Sequence, residues 1–262
     1  MPPPTEATNP SERHPARFVL GTDLECTSYA NLTARAHALV RAGSTVAVDF
    51  TNTQIVTMRR HEPPFREITT RFDFFVPDST PLIWCLRLQG EKFAARTYGP
   101  TFMRHCVLNS PSPITHYFLG GSEACLDKLQ TAFRNLNPNL CIVGARSGYF
   151  NHSDEAAIVE EINRLAPDFI WVGLGTPKQQ DWIYRHKPAI RRGVIFAVGF
   201  AFDVNAGTKP DAPAWMQRWG LTWVFRLCSE PRRLFPRYLK YNSLFLGYLL
   251  WDGIRGRVWR RY

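Results

Sequence analysis

The 262-residue chain has no C-x-x-C pair among its six cysteines, which stand at positions 26, 85, 106, 125, 141 and 228. That spacing supports neither a disulfide frame nor a zinc site. The apolar runs around most of them, such as Leu140-Cys141-Ile142-Val143, predict reduced thiols in the core of a cytosolic protein. No apolar run reaches the ~18–20 residues that a spanning helix requires. The longest, 241–251, is broken by Asn242, Ser243 and Gly247. Residues 1–15 are rich in Pro, Thr, Glu and Ser and lack the apolar stretch of a secretion signal, so they are expected to form a disordered lead-in. Internal repeats are absent, and so is a Walker-type phosphate loop with its Lys-Ser/Thr pair.

Hydrophobic residues make up 45% of the chain, enough for a large core. The net charge of +10 is uneven: from Lys209 onward there are 11 Lys/Arg against 3 Asp/Glu, a net of +8. Five of the eight tryptophans (215, 219, 223, 251 and 259) fall in the same stretch. Basic and aromatic residues together suit a membrane surface or a nucleic acid.

Between residues 45 and 198, short apolar runs alternate with helix-like segments. The strand-like runs are Thr45–Phe50, Phe72–Val76, Ile114–Leu119, Leu140–Val143, Phe169–Leu174 and Val194–Val198. Helical spacing follows each but the last, after a loop in the case of Leu140–Val143, with Ser153 as the expected cap of the helix over 154–165. The pattern predicts an α/β fold, a Rossmann-like, mostly parallel sheet covered on both faces. After Asp203 only helix-like stretches remain, at about 211–219, 220–229 and 231–250, punctuated by Pro210, Pro213, Pro231 and Pro236. The expected organisation is therefore a lead-in over 1–15, a core over 16–207 and a basic, Trp-rich helical appendage over 208–262.

Ligands of open parallel sheets sit at the carboxyl ends of the strands, and four sites follow such ends. Gly120-Gly121 either lets a phosphate approach a helix N-terminus or makes only a tight turn. Gly173-Leu174-Gly175-Thr176-Pro177-Lys178-Gln179 places a lysine at the positive end of a helix dipole. An anion explains that lysine, and a solvated first turn is the alternative. Asp78, directly after an apolar run, is either a general base with a raised pKa or a helix cap. Asp203 either bonds a ribose or base, or turns the chain.

Taken in order, these segments resemble the WecG/TagA/CpsF family of bacterial cell-envelope glycosyltransferases, glycosyltransferase family 26. The resemblance rests on Val76-Pro77-Asp78, Tyr98-Gly99-Pro100, Phe118-Leu119-Gly120-Gly121, Ile142-Val143-Gly144, Ser147-Gly148-Tyr149-Phe150 and Pro167-Asp168. It continues through 172–179, 198–203, Ala212-Pro213-Ala214-Trp215-Met216, Gly220-Leu221, Arg226-Leu227 and Glu230-Pro231-Arg232-Arg233.

The resemblance implies a UDP-sugar donor, commonly of N-acetylmannosamine type, a polyprenyl-diphosphate-sugar acceptor at the cytoplasmic face of the membrane, and inversion at the anomeric carbon. It assigns the base to Asp78, a pocket asparagine to Asn52, Pro-Lys-Gln to Pro177, Lys178 and Gln179, and the diphosphate-neutralising arginines to Arg226 and Arg233, with Arg237 as a third. The chain departs from the family where Phe50 replaces a threonine, with Thr51 and Thr53 beside it as candidate substitutes, and where Ser79 replaces a glycine. Both changes border the sugar site, so the donor sugar need not be N-acetylmannosamine.

No D-x-D motif is present. Arginines binding the diphosphate are therefore expected to replace a metal, with no cofactor. The competing readings are a soluble acceptor, a nucleic-acid-binding protein and an inactive nucleotide-sugar sensor. The Trp-rich tail disfavours the first, and the lack of a recognised module disfavours the second. Oligomerisation is left open. The appendage is expected to dock on anionic membrane through Phe245, Leu249, Leu250, Trp251 and Trp259, and to present Arg226 and Arg233 on nearly one helical face.

Overall fold

The computed structural model describes residues 16–92, 94–110 and 113–255. The lead-in and Trp259 lie outside them. Two short strands, β1 (Ala16–Val19) and β2 (Thr22–Glu25), form an antiparallel hairpin. Then come α1 (Tyr29–Arg41), β3 (Thr45–Thr51), α2 (Thr53–His61), α3 (Pro63–Ile68), β4 (Phe74–Pro77), α4 (Thr80–Leu88) and α5 (Gly99–Leu108). They are followed by β5 (Thr115–Gly120), α6 (Glu123–Leu136), β6 (Cys141–Arg146), α7 (Glu155–Leu165), β7 (Phe169–Gly173), α8 (Lys178–His186), β8 (Gly193–Ala197) and α9 (Ala201–Asn205). The chain continues as α10 (Ala214–Arg218), α11 (Thr222–Ser229) and α12 (Pro231–Ile254).

Strands β3 to β8 form one parallel sheet in the order β4-β3-β8-β7-β5-β6. Side chains alternate across it with period two. Val46, Val48 and Phe50 join one core, with Phe118, Trp171 and Phe196, under α1, α5, α6 and α9. Ala47 joins the other, with Leu119, Val172 and Ile195, under α2, α4, α7 and α8. Both faces are buried, which is why the strands read as continuous apolar runs. The chain crosses from β5 outward to β6 but from β7 inward to β8. Neighbours β5 and β7 therefore mark a switch point, the kind of place at whose carboxyl ends ligands of open parallel sheets bind.

Several expectations are corrected. Cys141 and Cys228 are exposed, because Cys141 opens the edge strand β6 and Cys228 lies on the outer side of α11. Ser153 does not cap α7; Asn151 and Asp154 form a capping box around the 3₁₀ turn His152–Asp154. Pro236 does not break the chain, and α12 runs through it. The break comes at Glu230, whose φ of −137° and ψ of 60° separate α11 from α12. Arg226 and Arg233 therefore sit on different helices and share no face. Phe245 is buried in the main core and Leu249 packs against it, so neither is free to enter a membrane, whereas Leu250 and Trp251 are exposed.

The appendage is docked along α2 by polar ties as well as by Phe245. Thr53 donates to Asn242 (3.3 Å), Lys240 and Tyr241 both donate to Glu62 (2.9 and 2.8 Å), and Arg60 pairs with the buried Asp252 (3.5 Å).

Candidate active site

Asp78 is the first residue past β4. Its amide donates to the Thr51 carbonyl at 2.7 Å, which extends the ladder and fixes the side chain at the rim of the sheet. The cap position of α4 belongs to Ser79, so Asp78 is not the helix cap. The carboxylate meets the start of α5, where the Gly99 amide donates to Oδ2 at 3.4 Å. A methyl placed on Gly99 would lie 3.7 Å from each of Asp78 Oδ2, the Phe50 ring and the Val198 carbonyl. Phe50 and Asp78 thus wall the same small space, and the aromatic ring helps keep water from the carboxylate.

Only 17% of the Asp78 side chain is exposed. Burial raises its carboxyl from the ordinary range to about 7, against the opposing pull of Arg96, the Gly99 amide and Arg226. Oδ1 is buried without a hydrogen-bond partner among the described residues, and so is Oγ of the adjacent Ser79. Oδ1 has only the Arg96 guanidinium at ion-pair distance and the Ser79 hydroxyl has no partner among those residues, so both keep hydrogen-bonding capacity for a ligand.

Arg96, which the sequence pattern did not single out, joins the core to the appendage here. Its Nε donates to the Asp78 carbonyl at 2.7 Å and lies 3.4 Å from Oδ1, at ion-pair distance. Its Nη1 donates to the Thr222 hydroxyl of α11 at 3.1 Å, and its plane covers the Tyr98 ring at 4.0 Å. The Tyr98 hydroxyl donates to Asp211 at 2.7 Å, which pins the entry of the appendage. The only sequence signal for this pair was the Tyr98-Gly99-Pro100 motif.

Arg226 lies over the Phe200 ring at 4.2 Å and acts electrostatically on Asp78. Lys209 reaches the same ring at 5.8 Å and pairs with Asp203 (3.6 Å) and Glu230 (2.9 Å). Arg233 is bound to Glu230, and Arg237 is half-buried one turn further along. Asp203 accepts from the Thr208 hydroxyl at 3.0 Å, so it also holds its own turn.

The remaining predicted residues divide by environment. Thr51 is fully buried on the sheet face opposite Phe50, and its hydroxyl donates to Asp49 Oδ1 at 2.5 Å. Thr53 is bonded to Asn242, so neither threonine stands in for the one that Phe50 replaces. Asn52 caps α2 by accepting from the Ile55 amide at 3.1 Å, which leaves its Nδ2 without a protein partner among the described residues.

Gly120 and Gly173 touch each other: a methyl on Gly120 would meet the Gly173 carbonyl oxygen at 2.5 Å, and one on Gly173 would meet the Phe202 ring at 2.8 Å. Gly121 is likewise packed against Cys125. Gly120 and Gly173 let β5, β7 and α9 pack closely, and Gly121 does the same for the start of α6. Gly175 differs, with a φ of +77° and nothing within 4 Å of a methyl placed there. Gln179 accepts from the Gly175 amide at 3.2 Å and sits beside Gly199. Pro177 precedes α8, and Lys178 donates to the Gly148 carbonyl at 2.9 Å and lies over Phe150 at 4.6 Å. That grip holds the loop after β6, which presents the exposed Tyr149.

A family model described as glycosyl transferase, WecG/TagA/CpsF family, matches residues 17–258. Among curated proteins, the chain is similar to N-acetylglucosaminyldiphosphoundecaprenol N-acetyl-beta-D-mannosaminyltransferase of Staphylococcus aureus strain MW2. The two are 25% identical over 221 residues, covering 82% of this chain and 85% of the relative. The protein of the same name from strain MRSA252 matches with the same identity and coverage.

Proposed function

The chain belongs to the glycosyl transferase WecG/TagA/CpsF family, and on that footing we propose that it moves an N-acetylmannosamine-type sugar from UDP to a polyprenyl-diphosphate-linked acceptor, with inversion, in cell-envelope polysaccharide synthesis. The observation that carries the reading is Asp78, a buried carboxyl raised to about 7 whose Oδ1 makes no hydrogen bond among the described residues, beside Arg96 and within the electrostatic reach of Arg226. A carboxylate titrating near working pH can take the proton of an acceptor hydroxyl as that oxygen bonds to the anomeric carbon. The bond from that carbon to the diphosphate breaks as the new one forms. Arg226, which has no carboxylate partner among the described residues, neutralises the departing UDP, the work done in other enzymes by a metal ion. Gly175 leaves the open approach to the helix start, and Tyr149 offers a ring for the base to stack on.

No helix among the described residues is long and apolar enough to cross a membrane. We assign the protein to the cytoplasmic face of the plasma membrane, held there peripherally through the exposed apolar residues and cations of the appendage.

The test is direct. A panel of UDP-sugars is screened for thermal stabilisation, where a ligand at 100 times its Kd adds about 2.7 kcal/mol. The stabilising donor is then offered with N-acetylglucosaminyl-diphosphoundecaprenol. Stabilisation by no UDP-sugar, or a product that retains the donor's anomeric configuration, would refute the reading.

A further inference from the structure

Helix α4 begins two residues after Asp78 and buries Leu82, Ile83, Cys85 and Leu86 against the core. Its outer side carries Trp84, 56% exposed, and Leu88, 77% exposed, one turn apart. Thr80, one turn before Trp84 on the same line, touches the turn between α10 and α11: a methyl on Gly220 would lie 2.8 Å from its Cβ. That turn is flanked by Trp219 and Trp223, 73% and 46% exposed. The core stripe and the appendage tryptophans are therefore continuous across a point of contact.

The carboxylates around this patch are all engaged, and the charges left unpaired are of one sign. Glu91 pairs with Arg17, Glu230 with Lys209 and Arg233, and Asp211 holds Tyr98 and Gln217. Arg87, Lys92, Arg218 and Arg232 have no carboxylate partner among the described residues. We propose that Trp84 and Leu88 on α4, together with Trp219 and Trp223, form one docking surface for an anionic lipid bilayer. The core itself then grips the membrane, beside the mouth of the site that holds Asp78.

Exposed tryptophans with unpaired cations beside them in the chain (Arg87 and Lys92 next to Leu88, Arg218 next to Trp219) fit an interface of anionic headgroups. A second copy of the chain fits poorly, because a two-fold interface would set these cations against their own images. Residues 1–15 lead into β1 beside the end of α4, where Gln89 donates to the Phe18 carbonyl (3.2 Å), but Met1 is their one large apolar residue. The proposal deepens, and rests on, the reading of a lipid-linked acceptor.

The experiment uses the full chain with vesicles of phosphatidylglycerol or of phosphatidylcholine. Trp84→Ser/Leu88→Ser should lower partitioning onto phosphatidylglycerol about tenfold, since each side chain lost removes interfacial apolar area. The same variant should slow transfer to a vesicle-embedded acceptor and leave turnover on a water-soluble, short-chain diphosphate acceptor unchanged. A nitrobenzoxadiazole probe on Leu88→Cys, in a Cys141→Ser/Cys228→Ser background, should brighten on phosphatidylglycerol and not on phosphatidylcholine. Unaltered partitioning of the double variant overturns the proposal. So does a probe that brightens with protein concentration in the absence of lipid, or one whose brightness without lipid is lost on deleting residues 1–15. Wild-type protein that binds vesicles through α4 yet transfers sugar to neither acceptor supports the docking surface and refutes the acceptor assignment.

Discussion

Arg96 Nε lies 3.4 Å from Asp78 Oδ1 and donates to the carbonyl of the same residue at 2.7 Å, while its Nη1 reaches Thr222 on α11. One guanidinium thus sets the charge beside the proposed base and ties the core to the appendage.

Asp78→Asn should lower kcat by about 10²–10⁴-fold, the usual weight of a general base, with UDP affinity near that of the wild type. In the wild type, kcat/KM should rise with pH through about 7 as Asp78 ionises. Stability moves the other way. The folded pKa is raised above its unfolded value, so this carboxyl's contribution to stability is intact below about 4 and is lost as pH rises through about 7. Thermal melts at pH 4.5 and pH 8 check the sign: the substitution should raise the midpoint relative to wild type at pH 8 more than at pH 4.5. A pH-independent kcat/KM between 5.5 and 8 would remove Asp78 as the base.

Arg96→Gln should shift the acidic limb of the pH profile above about 7, because the cation that lowers the Asp78 pKa is gone. Arg96→Lys keeps the charge but not the fork to Thr222, so it should restore the limb only in part. A purely structural role would lower activity at every pH without moving the limb.

Arg226→Ala should weaken UDP binding and lower kcat by about 10²-fold, the cost of one preorganised charge at a leaving group. The metal-stripped wild type in EDTA should keep its turnover. Activity that disappears in EDTA and returns with Mg²⁺ or Mn²⁺ would replace the arginine model with a metal one. Vesicle binding by Arg226→Ala should match wild type, since the guanidinium faces Phe200 rather than the outer surface.

Gly173, which ends β7, and Gly175, in the turn that follows, should behave differently. Gly173→Ala drives a methyl to 2.8 Å from the Phe202 ring and should destabilise by about 1–3 kcal/mol through overpacking. Gly175→Ala meets no atom but keeps a φ of +77°, which costs roughly 1–2 kcal/mol. If UDP approaches at this turn, Gly175→Ala should also lose donor affinity, while Gly173→Ala should retain it once folded. Titration of UDP against each variant below its melting temperature separates the two.

The strand–helix alternation, the carboxylate after Val76-Pro77 and the concentration of cations and tryptophans after Lys209 were legible because they depend on local order along the chain. Less legible were β1 and β2, four residues each, and α5, which opens on Gly99-Pro100 and so reads as a turn even though proline suits a first helical turn. Tertiary structure decided the rest. Adjacent residues on a strand point to opposite faces, so Thr51 is committed to Asp49 while Phe50 borders Asp78. Arg96 and Thr222, 126 positions apart, meet only because the turn before α11 folds back onto the start of α4. The pKa of Asp78 follows from the same packing, since a carboxylate's solvation is set by what surrounds it in space.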